Sequence, residues 1–313
     1  MKKMKTAVIG AGYMGKFHAE KLAACADAEL VVVIDTDGAR ASQIGAALGC
    51  AHGTDYRAWL GRIDAACVAV PTELHCRIAS DCLEEGVHVL VEKPLARTVE
   101  EADALLAAAL ARGLVLQVGH LQRFNPAFQA LAGEPGRPLF IDIERLAPFK
   151  NRGTDVDVIL DLMIHDLDLV LALAKAPIAE VSACGFRVLT GAIDIANARI
   201  EFADGCVASV SASRVSQSPV RKLRVFRHDA YVSADLQEQR LRHVRRGAGT
   251  IEEGEQTFPR VDELGAQTES FVRAVRDGSS PPVSGEEGRA ALALALQIVT
   301  LINERLKKHS ATA

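Results

Sequence analysis

Four short stretches of this chain carry residue types that can grip a dinucleotide or move a proton. In "VIGAGYMG", Gly10, Gly12 and Gly15 have GxGxxG spacing, with Tyr13 and Met14 in the same loop. The stretch follows a strand-like run and opens a helix, the context that gives the spacing weight. Gly10 would make the tight turn. Gly12 would let backbone approach a pyrophosphate at the helix N-terminus, and Gly15 would allow close helix–strand packing. Asp35 ends the next strand, about twenty residues further on, where a carboxylate accepts hydrogen bonds from an adenosine ribose. A carboxylate there repels a 2′-phosphate, so the cofactor it predicts is NAD, not NADP. The plain alternative is a glycine turn with no ligand.

The second stretch, "VAVPTELH", brings Pro71, Thr72 and His75 to the end of a strand, the edge at which open α/β sheets bind ligands. Thr72 is read as lining the nicotinamide side, or else as a helix cap. His75 falls in a first helical turn, a cofactor-side position where a structural role is the commoner one. The third, "VLVEKPLA", ends an apolar run in Glu92, Lys93 and Pro94. Glu92 and Lys93 are placed beside the cofactor. Partial burial disfavours an ammonium, which makes Lys93 a candidate proton-transfer group, and Pro94 fixes the backbone beyond it. A Glu–Lys surface pair is the alternative.

The fourth stretch, "DVILDLMIHDLDLVLAL", is apolar nearly all round, yet Asp161, His165 and Asp168 stand at i, i+4 and i+7. Acids are seldom buried unless paired, so this stripe is expected to face a cavity or a partner, unless it is a satisfied core Asp–His pair. An Asp and a His four apart can also ligate metal. No third ligand and no HExxH spacing accompany them, and no metal is expected. Weaker candidates for holding substrate are Arg123 and Asn125 in "QRFNP", and Lys150 and Arg152 in "FKNRGTDVD". Their alternatives are a linker with a helix start, and solvated loop charges.

The elements that would position these residues follow from periodicity. Over the first 120 residues strands apolar on both faces alternate with helices (Met14–Ala24, Gly38–Leu48, Glu73–Glu85, Val99–Ala111), which predicts a doubly wound parallel sheet. After Pro126 the pattern changes to "LFIDIERLA", one long helix over about Asp155–Lys175, and four consecutive strand-like runs. Two closing helices follow, Glu263–Asp277 and Glu286–Lys308. Strands without intervening helices predict an open, mostly antiparallel sheet. The fold class is therefore α/β: a dinucleotide-binding domain over 1–120 and an α+β domain for substrate and oligomerisation over 121–313.

Composition excludes several classes. The 313 residues are 49% hydrophobic and 24% charged, with a net charge of −4, which predicts neither nucleic-acid nor membrane binding. The start "MKKMKTAVIGAGYMG" lacks the apolar stretch and cleavage site of a secretory signal. Seven scattered cysteines without CxxC spacing are read as reduced core thiols of a cytoplasmic protein.

"VIGAGYMGKFHA", "VAVPTELH", "VEKPLA", "GHLQRFNP" and "DLMIHDLD" stand in the order seen in the glucose–fructose oxidoreductase / inositol dehydrogenase / MocA family, which this chain resembles from residue 8 to 168. The resemblance implies a Rossmann domain, an NAD-dependent dehydrogenase acting on a sugar hydroxyl, and an active site of Lys93, Asp161 and His165. It also implies a homodimer or homotetramer formed through the second sheet. Met163 stands where many relatives have glycine, which implies a narrowed pocket. "GHLQRFNPAF" and the fourth stretch resemble the family's UDP-N-acetylglucosamine 3-dehydrogenases. Those enzymes feed an aminotransferase on a route to lipid A, which implies a nucleotide-sugar substrate whose pyrophosphate meets Arg123, Lys150 and Arg152. Inositol or free-sugar oxidation is the alternative within the family, and a catalytically silent NAD sensor the alternative outside enzymes. Either Lys93 or His165 would be the base.

Overall fold

The computed structural model describes residues 3–150, 156–247 and 249–310. The chain forms two compact units. The first holds residues up to Leu121 together with Asp262–Arg289, and the second holds Gln122–Val261 and the residues from Ala290 onward.

In the first unit six strands, β1 (Met4–Ile9), β2 (Ala28–Ile34), β3 (Ala51–Gly53), β4 (Ala65–Val68), β5 (His88–Val91) and β6 (Leu116–Val118), pair in parallel in the order β3-β2-β1-β4-β5-β6. Every residue of β4 is buried, as the apolar run "AACV" requires of a strand covered on both faces. The order reverses between β1 and β4, the switch point at which such sheets leave a crevice beyond the strand ends. The crossovers are α1 (Tyr13–Ala24), α2 (Gly38–Leu48), α3 (His75–Glu84) and α4 (Val99–Arg112). Asp37 and Thr98 accept from backbone N–H groups to start α2 and α4, and Gly49 and Gly113 end them at positive φ. The amphipathic α7 (Glu263–Asp277) also belongs here. Phe271 and Val272 join the core of β1, β2 and α1, and Lys21 pairs with Asp262 at 2.8 Å.

The second unit begins with α5 (Pro126–Gly133) and β7 (Phe140–Leu146). Next come a π-turn over Ile159–Met163, α6 (Ile164–Ala174) and seven strands, and the unit takes the later part of α8 (Gly285–Ser310). The strands are β8 (Ile178–Phe186), β9 (Ile195–Phe202), β10 (Val207–Ser213), β11 (Val220–Arg227), β12 (Ala230–Asp235), β13 (Arg240–Arg246) and β14 (Ile251–Thr257). With β7 they form one sheet, ordered β14-β13-β12-β11-β7-β10-β9-β8, antiparallel except between β7 and β10. Alternation decides its faces. Ile141, Ile143, Ala198, Ile200, Val210 and Val225 lie in one core with Leu167 and Val170 of α6 and Ile298 of α8. The other face carries Arg224, held by Asp142 and Glu144, and a tilted stack of Phe140, Phe226 and Tyr231.

Two expectations about elements change. The run "KLRVFRHDAYVSADL" is two strands, β11 and β12, folded back at Asp229 with φ of 59°. The expected helix over 155–175 opens on the π-turn, and Lys175 ends it in the left-handed region.

Candidate active site

The glycine loop has the geometry its spacing implies. Gly10 has φ of +97°, and a Cβ there would sit 2.4 Å from the Ala69 carbonyl oxygen. A Cβ on Gly15 would meet the Gly10 carbonyl oxygen at 1.8 Å. A Cβ on Gly12 would meet only open space, and no side chain caps α1 there. Its first-turn N–H groups are therefore presented to an anion. Asp35 braces this loop: Oδ2 accepts from the Ala11 N–H at 2.6 Å and Oδ1 from the Asp37 N–H at 2.8 Å. Arg40 lies 3.7 Å from Asp35 and 3.2 Å from Asp37. A cavity of about 590 Å³ lined by Ala11, Gly12, Tyr13, Lys16, Arg40 and Ile44 opens beside the loop. Tyr13 is exposed and stands edge-on to Phe17, and Met14 is half-buried. An open glycine cradle with a carboxylate at the end of β2 fits an NAD dinucleotide.

After β5 the chain passes through Glu92, Lys93 and a cis Lys93–Pro94 bond. Lys93 is half-buried. The Glu92 carboxylate points inward: Oε1 is 2.6 Å from Nε2 of buried His18 on α1, and Oε2 accepts from the Lys93 N–H at 3.3 Å. Burial works against charge on the His18 ring, but Cys67 and Glu92 outweigh it and push His18 up to about 10. Burial also opposes the Glu92 charge, and the bond from His18 holds that carboxyl below its ordinary range. Glu92 thus braces the start of this loop. His75 is also held from inside. It is 1% exposed, and its ring nitrogens lie 2.8 Å from the Pro94 carbonyl oxygen and 2.9 Å from that of Val70, so the side chain ties two loop starts together. Thr72 is half-buried at the start of a 3₁₀ turn over Thr72–Leu74, which no side chain caps, and Pro71 is exposed.

In the second unit the π-turn places Asp161. The Ile164 N–H donates to the Ile159 carbonyl, an i→i+5 bond that widens the turn, and such turns recur at functional sites. Asp161, Leu162 and His165 are half-buried while Met163, Ile164 and residues 166–170 are buried, so Asp161 and His165 share the more open side. Met163 is 0% exposed and packs in the unit's core. Asp168 leaves the stripe as well, because it receives both prongs of Arg123, at 2.7 and 3.0 Å. Arg123 therefore has a structural partner in Asp168. Asn125 is 0% exposed. Its Oδ1 caps α5 through the Ala127 and Phe128 N–H groups, and its Nδ2 donates to the Leu236 carbonyl, so it has a structural role. Lys150 is exposed, and Arg152 lies outside the described residues.

Sequence reasoning missed His18 and the buried pair Arg145–Asp166, joined at 2.6 Å. His18 carries a usable signal, since it lies three residues past Gly15 on the packed side of the helix. Among the described residues no three His, Cys, Asp or Glu side chains cluster to hold a metal, and no helix is long and apolar enough to cross a membrane.

Residues 4–120 match the oxidoreductase family with an NAD-binding Rossmann fold, and residues 131–232 match the GFO/IDH/MocA C-terminal domain. A UDP-N-acetylglucosamine 3-dehydrogenase of Acidithiobacillus ferrooxidans is 40% identical over 313 residues, covering 97% of this chain and 99% of that one. The chain belongs to the GFO/IDH/MocA family of oxidoreductases. It is an NAD-binding oxidoreductase, as the glycine loop and Asp35 had implied. A solved structure of the Acidithiobacillus enzyme superposes with a TM-score of 0.91, covering 96% of this chain and 98% of that one. The scyllo-inositol 2-dehydrogenase of Bacillus subtilis is 33% identical over 236 residues, 68% of each chain. Levoglucosan dehydrogenase in complex with NADH shares the fold at 21% identity, with a TM-score of 0.86 over 97% of this chain and 98% of that one.

Proposed function

We propose that the protein oxidises UDP-N-acetylglucosamine at C3 to the 3-keto nucleotide sugar. The observation that carries this reading is end-to-end likeness, at 40% identity, to an enzyme named for that reaction. The inositol dehydrogenases are the second reading, supported by 33% identity over 68% of the chain.

Bound NAD supplies the hydride acceptor. The residues assigned to the reaction are Lys93, Asp161 and His165. Of Lys93 and His165, one takes the hydroxyl proton while the other stabilises the developing alkoxide. Asp161 orients the pair and holds a neighbouring hydroxyl. With Arg123 bound to Asp168, the cations assigned to the UDP pyrophosphate are Lys150 and Arg152. Their binding energy, remote from the reacting carbon, orients C3.

A homodimer or homotetramer formed through the aromatic and charged face of the second sheet, a cytoplasmic location, and a pyridoxal-phosphate aminotransferase acting on the keto product towards lipid A complete the reading. The exposed Phe226 on that face supports the assembly. The test is NAD reduction with UDP-N-acetylglucosamine beside myo-inositol and glucose, with an aminotransferase and glutamate pulling the equilibrium. Turnover of inositol or glucose but not the UDP-sugar rejects the substrate and leaves the dehydrogenase standing.

A further inference from the structure

His18 is a polar side chain buried among apolar ones. It is 0% exposed on α1, beside Cys67 of β4 and Glu92 at the end of β5. Buried ion pairs are poor stabilisers compared with apolar packing, and their best-attested use is to fix one geometry among several. The geometry fixed here is that of the segment carrying Lys93. One oxygen of Glu92 is 2.6 Å from the His18 ring and the other accepts from the Lys93 N–H, so a single carboxylate links α1 to the backbone of the lysine. On the far side of Lys93, the Pro94 carbonyl is held by His75. The helix that carries His18 also begins beside Gly12 with no side-chain cap.

We propose that His18 is a positioning residue for Lys93, acting through the two oxygens of Glu92. The inference rests on Lys93 being the proton-transfer group assigned above. Losing the imidazole frees the Glu92 carboxylate to swing, and Lys93 loses its fixed backbone. Misplacing a reacting group by about 1 Å costs on the order of 10²-fold in rate.

The test compares the native protein with His18→Leu and His18→Gln, using whichever of UDP-N-acetylglucosamine, myo-inositol and glucose the native protein oxidises fastest. A wrong substrate assignment therefore leaves the result intact. His18→Leu lowers kcat by about 10²-fold, while KM for the sugar and Kd for NADH stay within about threefold. His18→Gln offers an amide N–H to the same carboxylate oxygen and restores kcat to within about tenfold of native. Amide hydrogen exchange of residues 88–96 gives a readout independent of turnover: faster in His18→Leu, near native in His18→Gln. If His18→Leu does not fold, Glu92→Asp, which withdraws the carboxylate from His18 but keeps its charge, is read in the same way. Native kcat in the disrupting variant overturns the proposal. So does a parallel loss of kcat, NADH affinity and thermal midpoint in both His18 variants.

Discussion

The Arg123 guanidinium grips the Asp168 carboxylate with two nitrogens, Nε to Oδ2 at 2.7 Å and Nη2 to Oδ1 at 3.0 Å, and Asp168 is 1% exposed. Arg123→Ala leaves a buried carboxylate uncompensated, which destabilises by about 3–5 kcal/mol. Arg123→Met with Asp168→Leu loses less, because no charge remains to desolvate. Urea unfolding reads both variants. A native unfolding free energy in Arg123→Ala, with KM for the sugar raised instead, would return Arg123 to the substrate.

Asp35 sets cofactor choice in this account. Its carboxylate is fixed by the Ala11 and Asp37 N–H groups at the end of β2, and a carboxylate placed there repels a 2′-phosphate. The native protein prefers NAD to NADP in kcat/KM by on the order of 10²-fold. Asp35→Ser narrows the preference, leaving Arg40 to meet the phosphate, and raises KM for NAD because the Ala11 N–H loses its acceptor. Equal kcat/KM for the two cofactors in the native protein contradicts this.

Lys93→Met and His165→Ala each lower kcat about 10²–10⁴-fold, the usual loss for a proton-transfer group. NADH binding, followed by its fluorescence, persists in both. Near-native rates in the two variants remove both side chains from the chemistry.

The parallel sheet, the glycine loop and the helices Gly38–Leu48 and Glu263–Asp277 are legible because period and cap residues agree along the chain. The strand Ile251–Thr257 is not, since "IEEGEQT" is an almost wholly exposed edge with no alternation to read. The π-turn is hidden because helical periodicity does not encode one extra residue in a turn. The burial of Met163 and the partners of Asn125 and His75 are not legible for one reason: a motif fixes a residue's place in the chain, whereas burial and partners fix where its side chain points. Asp168 was legible as a buried acid in need of a partner, but Arg123 lies 45 residues away.

Asp194 gives the second unit a pH dependence. It is 0% exposed, and burial works against its charge. The Thr190 hydroxyl and the N–H groups of Thr190, Val188 and Leu189 outweigh that and hold the carboxyl down at about 2. With its folded value depressed, its stabilisation is complete above the unfolded value near 3.8 and is lost as pH falls towards about 2. Roughly 2 kcal/mol is at stake. Asp194→Asn is less stable at neutral pH and loses less stability than the native protein across that window, as read by urea unfolding at each pH. Parallel pH curves for the two proteins refute the assignment.

The most direct test of the central claim uses UDP-N-acetylglucosamine carrying deuterium at C3 of the sugar, with NAD and the native protein. The account predicts that deuterium leaves C3 and appears in the reduced nicotinamide, as found by mass spectrometry, together with a 3-keto nucleotide sugar. Reduced nicotinamide without deuterium, or none formed from this substrate while myo-inositol is oxidised, contradicts it.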